Sequence, residues 1–77
     1  MAYYLHTRVK NMKHIQINSE SMTCQSTNLA ELLNEKGYQN ATVATAINGN
    51  FVPQQNRENT LLKEGDRIEI LAPMQGG

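Results

Sequence analysis

The side chains able to do chemistry in this 77-residue chain are few and scattered. Cys24 is the single cysteine, so neither an intramolecular disulfide nor a thiolate metal cluster can be assembled. It stands between Thr23 and Gln25 in a short apolar alternation, with no adjacent cation to lower its pKa, so a packed thiol is expected rather than a nucleophile. His14 falls on the polar side of a strand pattern and His6 in an irregular opening, neither with a ligating or catalytic partner at a recognisable spacing. No phosphate-binding glycine loop or nucleophile–base pair is present. What remains is the end of the chain, Pro73-Met74-Gln75-Gly76-Gly77. A terminal carboxylate is a poor electrophile until it is joined to AMP or a similar leaving group. To be adenylated it must reach the α-phosphate of ATP inside another protein. Two glycines form the narrowest lead for such a group, because without a Cβ they take extended or positive-φ conformations freely.

Size and charge bound the alternatives. A chain of this length makes one domain with a modest core and leaves little room for a deep catalytic cleft. Seven Lys and Arg balance seven Asp and Glu, which argues against nucleic acid as the main partner, since phosphate binding needs a basic excess or stripe. No run approaches the ~20 apolar residues that span a bilayer, and Met1 to His6 lacks a signal-peptide h-region. A soluble monomer in a reducing compartment is expected, bacterial cytoplasm or plastid stroma, with no membrane or nucleic-acid partner.

The elements that must present the C-terminus are legible from periodicity and punctuation. Residues 1–11 show no clear period and read as an N-terminal extension. From Met12, Ile15 and Ile17 alternate with His14 and Gln16, a half-buried strand. Asn18-Ser19-Glu20-Ser21 is rich in turn formers, and Met22 and Cys24 alternate again, predicting a hairpin. Asn28 followed by Glu31 is the pattern of a capping box, and Leu29, Leu32 and Leu33 make one apolar helical stripe that Gly37 ends. Thr42 to Ile47 reads as a strand, Asn48-Gly49 as a tight hairpin turn, and Phe51-Val52 as a short return strand stopped by Pro53. Gln54 to Asn59 is polar and predicts an irregular connection, and Thr60-Leu61-Leu62 a brief buried segment. Lys63 to Asp66 is a turn, and Ile68 and Ile70 point inward from a last strand. An α+β domain over residues 12–72 follows: a mixed sheet of four or five strands against one main helix, its first and last strands parallel at the centre. Residues 73–77 are expected to be a flexible tail.

In this order these segments resemble the ThiS family of sulfur carriers in thiamine biosynthesis, ubiquitin-like β-grasp proteins. The resemblance covers Met12 to Gly77. It rests on Asn28-Leu29-Ala30-Glu31-Leu32-Leu33, Ala46-Ile47-Asn48-Gly49 with Phe51-Val52-Pro53, Leu62 through Ile70, and the ending Gln75-Gly76-Gly77. The family usually has Thr at the position of Asn28, and either residue can cap a helix. The resemblance implies that a ThiF-like enzyme adenylates Gly77 with ATP and magnesium, and that sulfur from a cysteine-desulfurase persulfide replaces AMP to leave a thiocarboxylate. A ThiG-like thiazole synthase then takes the sulfur. Gly76 and Gln75 would line the lead into the activating enzyme, and the chain itself would bind no cofactor or metal and catalyse nothing. Phe51, Leu62 and Leu71 are the apolar candidates for docking that enzyme. Two readings share the same activated carboxylate: the small, MoaD-like subunit of molybdopterin synthase, and a ubiquitin-like modifier of lysines. A binding module with incidental glycines is the third.

Overall fold

The computed structural model describes residues 12–39 and 41–72. Alternating β-branched and polar residues form β1 (Lys13–Ile17), which returns as β2 (Glu20–Cys24) in antiparallel register, with Ile15 opposite Met22. Helix α1 (Leu29–Glu35) follows, then β3 (Ala44–Ile47), β4 (Asn50–Val52), a 3-10 helix (Gln54–Asn59) and β5 (Arg67–Leu71). The five strands form one mixed sheet in the order β2-β1-β5-β3-β4. The last strand is therefore central, parallel to β1 and antiparallel to β3.

One face of the sheet is closed by α1. Leu29, Leu32 and Leu33 are buried with Ile15, Ile17, Val43, Val52, Leu62, Ile68 and Ile70 in a single core. Removing each such side chain from water contributes about 1.5–3 kcal/mol, which a domain this small needs to offset its chain entropy.

The helix begins and ends on local signals. The Glu31 N–H donates to Asn28 Oδ1 (2.8 Å), while the Glu31 carboxylate accepts from the Thr27 N–H (2.9 Å). That is one residue earlier than a standard capping box, where the acid would reach the cap residue itself. At the other end Gly37 takes φ +91°, the Tyr38 N–H donates to the Leu33 carbonyl (2.7 Å) and the Gly37 N–H to that of Asn34 (3.2 Å). This pair of bonds is a Schellman closure, and it turns the chain off the helix after seven residues.

Three expectations change in detail. Strand β3 starts at Ala44 rather than Thr42, because the Val43 carbonyl is taken by Arg57 Nη2 (2.6 Å) instead of a strand neighbour. The polar stretch after Pro53 is a 3-10 helix, not an irregular connection. It has no buried residue, and it is tied down by Arg57, whose Nε also donates to Thr45 Oγ1 (3.1 Å). Of the Leu61-Leu62 pair only Leu62 is buried, at 4 % exposure, while Leu61 is 64 % exposed.

Candidate functional site: the exit of the central strand

Gly77, Gly76 and Gln75 lie outside the described residues, so the site is built from the element that delivers them. Strand β5 runs up the middle of the sheet and ends at Leu71. Its inward residues, Ile68 and Ile70, are buried, so the strand is held by packing as well as by its two ladders.

Alternation then dictates what the open face shows. Leu71 pairs with Ala44, Glu69 with Ala46, and Ala46 with Phe51. All five stand on the side of the sheet opposite Ile70, Thr45 and Val52, because successive strand residues point to opposite faces. Phe51 is 69 % exposed and Leu71 61 %. With Ala44 and Ala46 they make an apolar strip across β4, β3 and β5, bordered by Glu69 opposite Ala46 and reaching the end of the sheet where β5 finishes. Two of the three expected docking residues are thus brought together. Leu62 is not among them: it is a core residue, and its exposed neighbour Leu61 bridges to Asn28 outside the sheet.

The two hairpin turns contribute contacts to β5 that the sequence reading missed. Each opens with an asparagine in the left-handed region, Asn18 at φ 52° and Asn48 at φ 51°. Asparagine tolerates that conformation better than other side-chain-bearing residues. Both carboxamides cross to the central strand. Asn48 accepts from the Arg67 N–H (2.9 Å) and donates to Asp66 Oδ1 (3.0 Å). Asn18 accepts from the Ile70 N–H (2.9 Å) and donates to the Ile70 carbonyl (3.0 Å). The available signal was the pair of asparagines at equivalent turn positions, but their partners lie 19 and 52 residues away.

The titratable groups add little chemistry of their own. Cys24 is buried, as expected from its place in the alternation, and desolvation pushes its thiol above the ordinary range, against a smaller opposing effect of a backbone hydrogen bond at Ser26. A thiol so placed is a poor nucleophile. His14 is exposed, as expected, and it does have a partner: its Nδ1 lies 3.0 Å from Glu64 Oε2. The Glu64 carboxyl is held below its usual value, first by the His14 backbone N–H and then by the imidazole. Among the described residues no three His, Cys, Asp or Glu side chains converge as metal ligands would, and no helix is long and apolar enough to cross a membrane.

A mixed five-stranded sheet closed by one helix, with its last strand at the centre, defines a β-grasp fold. The model of the ThiS family matches residues 6–77, beginning ahead of Met12 and running through Gly77. The structure of the thiamine biosynthesis protein ThiS from Geobacter metallireducens superposes with a TM-score of 0.72 at 28 % identity, over 83 % of this chain and 99 % of that one. The uncharacterised protein ycf40 of Porphyra purpurea is 31 % identical over 64 residues, covering 82 % of this chain and 90 % of the relative. The chain belongs to the ThiS family, the sulfur carriers of thiamine biosynthesis.

Proposed function

We propose that the chain carries sulfur as a thiocarboxylate on Gly77. A ThiF-like enzyme would bring the Gly77 carboxylate against ATP and magnesium. A carboxylate oxygen attacks the α-phosphate, pyrophosphate leaves, and an acyl adenylate forms. The terminal sulfur of a cysteine-desulfurase persulfide then displaces AMP from the acyl carbon, and a thiol cleaves the resulting acyl disulfide to release the thiocarboxylate. A ThiG-like thiazole synthase is the acceptor of that sulfur. The chain acts as a protein co-substrate in each step; ATP and magnesium belong to the partner. Both cytoplasm and plastid stroma would suit the chemistry, which needs a reducing compartment.

The observation that carries this reading is the family match reaching Gly77, on a fold whose central strand leads directly to those residues. The open strip of Phe51, Ala46, Ala44 and Leu71 supports it. An exposed apolar surface at the exit end of β5 suits a partner that must hold the body while it receives the end. Gly76 and Gln75 would then occupy the channel to the nucleotide.

Reconstitution tests the reading. The chain, ATP, magnesium, a ThiF-like enzyme and a desulfurase with cysteine should give a product that supports thiazole formation by a ThiG-like synthase. Sulfur passed to a molybdopterin precursor instead would reassign the acceptor, and attachment to lysines without sulfur transfer would make the chain a modifier.

A further inference from the structure

The β3–β4 hairpin turns on Asn48-Gly49, and both residues are exposed. Their φ values of 51° and 87° make a left-handed two-residue turn. Three bonds hook Asn48 onto the start of β5. Its N–H donates to the Arg67 carbonyl (2.7 Å), its Oδ1 accepts from the Arg67 N–H (2.9 Å), and its Nδ2 donates to Asp66 Oδ1 (3.0 Å). Asp66 is buried, and its other oxygen accepts from the Lys63 N–H (2.7 Å). This is also the one Asn-Gly step in the sequence. An amide nitrogen that follows asparagine can attack the side-chain carboxamide, and glycine obstructs that attack least because it has no Cβ. The surroundings of Gly49 are open, since a Cβ built there would meet nothing within 4 Å. The matching turn of the first hairpin has Ser19 after Asn18, so its attacking nitrogen carries a side chain beside it.

We propose that Asn48 is a deamidation site gated by the fold, protected while its carboxamide is hooked to β5 and open to conversion when the hairpin turn lets go. Solvent hydroxide takes the Gly49 amide proton, and the nitrogen bonds to Asn48 Cγ. The Cγ–Nδ2 bond then breaks, and ammonia leaves after taking a proton from water. Water opens the resulting five-membered imide at either carbonyl, giving aspartate or isoaspartate; nothing is oxidised or reduced. In the closed turn the carboxamide is pinned at both its oxygen and its nitrogen. Swinging Cγ onto the Gly49 nitrogen requires both side-chain bonds to break, so release from β5 sets the rate. The product cannot rebuild the hook. Aspartate places an oxygen where Nδ2 stood, against the buried Asp66 carboxylate, and two like charges so close force one group to take a proton or move away. Isoaspartate adds a backbone methylene and breaks the register of the turn. A transient opening at the entry of β5 thereby becomes a permanent loss of its brace.

The test incubates the full chain at neutral pH, folded and in urea. It reads the mass gain of an amide replaced by an acid, locates it by peptide mapping, and counts isoaspartate with an isoaspartyl methyltransferase. Conversion should fall on Asn48 and run at least about tenfold slower in the folded chain than in the unfolded one. Asp66→Ala, which removes the acceptor of Nδ2, should speed conversion of the folded chain about fivefold. Asn28→Ala, which weakens the helix cap away from the turn, should leave the rate within about twofold. Asn48→Asp, equivalent to the aspartate product, should unfold at lower urea. Adding Asp66→Asn exchanges donor and acceptor and should restore most of that loss. Equal rates in the folded and unfolded chain, or faster conversion at another asparagine, would overturn the proposal. So would equal acceleration by Asp66→Ala and Asn28→Ala, which would make overall unfolding the gate, or no recovery in the double variant.

Discussion

The two ends of β5 are built differently. At its entry, the Lys63–Asp66 turn is sewn into the body. The Asp66 side chain, 4 % exposed, accepts from the Lys63 N–H (2.7 Å) and from Asn48 Nδ2 (3.0 Å). The Gly65 N–H donates to the His14 carbonyl (2.7 Å), and Glu64 accepts from the His14 N–H (2.9 Å). At its exit, one carboxamide holds Ile70, the last outward residue, Leu71, is apolar and exposed, and Ala72 leads away. The contrast separates two tasks within one strand. The entry end secures the fold, and the exit end leads toward the residues proposed to react. Substitutions at the entry should therefore cost stability, and those at the exit should cost loading.

The strongest break of that comparison lies beyond the exit. Gly76→Val should slow loading of Gly77 roughly 100-fold or more, because a β-branched side chain both widens and stiffens the lead, while the thermal midpoint stays at the wild-type value. Adenylate formation and a thermal melt on the same sample check both halves. At the entry, Asp66→Ala leaves a backbone N–H and the Asn48 amide without their acceptor, and should cost about 2 kcal/mol in urea unfolding while the folded fraction still loads. At the exit surface, Leu71→Asp should raise KM for the activating enzyme about tenfold, with stability changed by less than about 0.5 kcal/mol. Leu61→Asp, on an equally exposed leucine outside the strip, should change neither.

The smallest effect expected is electrostatic. The Glu64 carboxyl is depressed in the folded state, so its contribution to stability is complete above the unfolded value near 4.5 and is lost as pH falls through the lower folded value. Glu64→Gln should flatten the stability profile in that acid window and leave it parallel to wild type at neutral pH. Urea midpoints across the range read this directly. The pair is exposed and solvent-screened, so the difference should be small.

How much of this was legible in the sequence follows from the range of each interaction. Ile15 and Ile17, the Leu29–Leu32–Leu33 stripe, Asn28, Gly37 and Asn48-Gly49 act on neighbours within a few residues, and each predicted its element correctly. The parallel pairing of first and last strands was also legible, from the order of elements. The Leu61-Leu62 pair was not resolved, because adjacent residues in extended chain point opposite ways and periodicity over two residues cannot choose between them. The 3-10 helix gave no signal, since its residues are polar throughout and Arg57, its tie, finds its acceptors only once β3 is in place. The same holds for Asn18 with Ile70 and His14 with Glu64, contacts that exist only when the β1–β5 register is set. Of the apolar docking candidates Phe51, Leu62 and Leu71, the sequence could not separate the two exposed residues from the buried Leu62, and it gave no sign of how the exit of β5 is held; the terminal glycines lie outside the described residues.

The most direct test of the account is the intact mass of the chain after incubation with ATP, magnesium, a ThiF-like enzyme and a persulfide donor. The account predicts a mass gain equal to one oxygen replaced by sulfur, located on the C-terminal fragment and absent when Gly77 is deleted. An unchanged mass with an activating enzyme proven competent on another ThiS-family carrier, or a gain that survives deletion of Gly77, would contradict it.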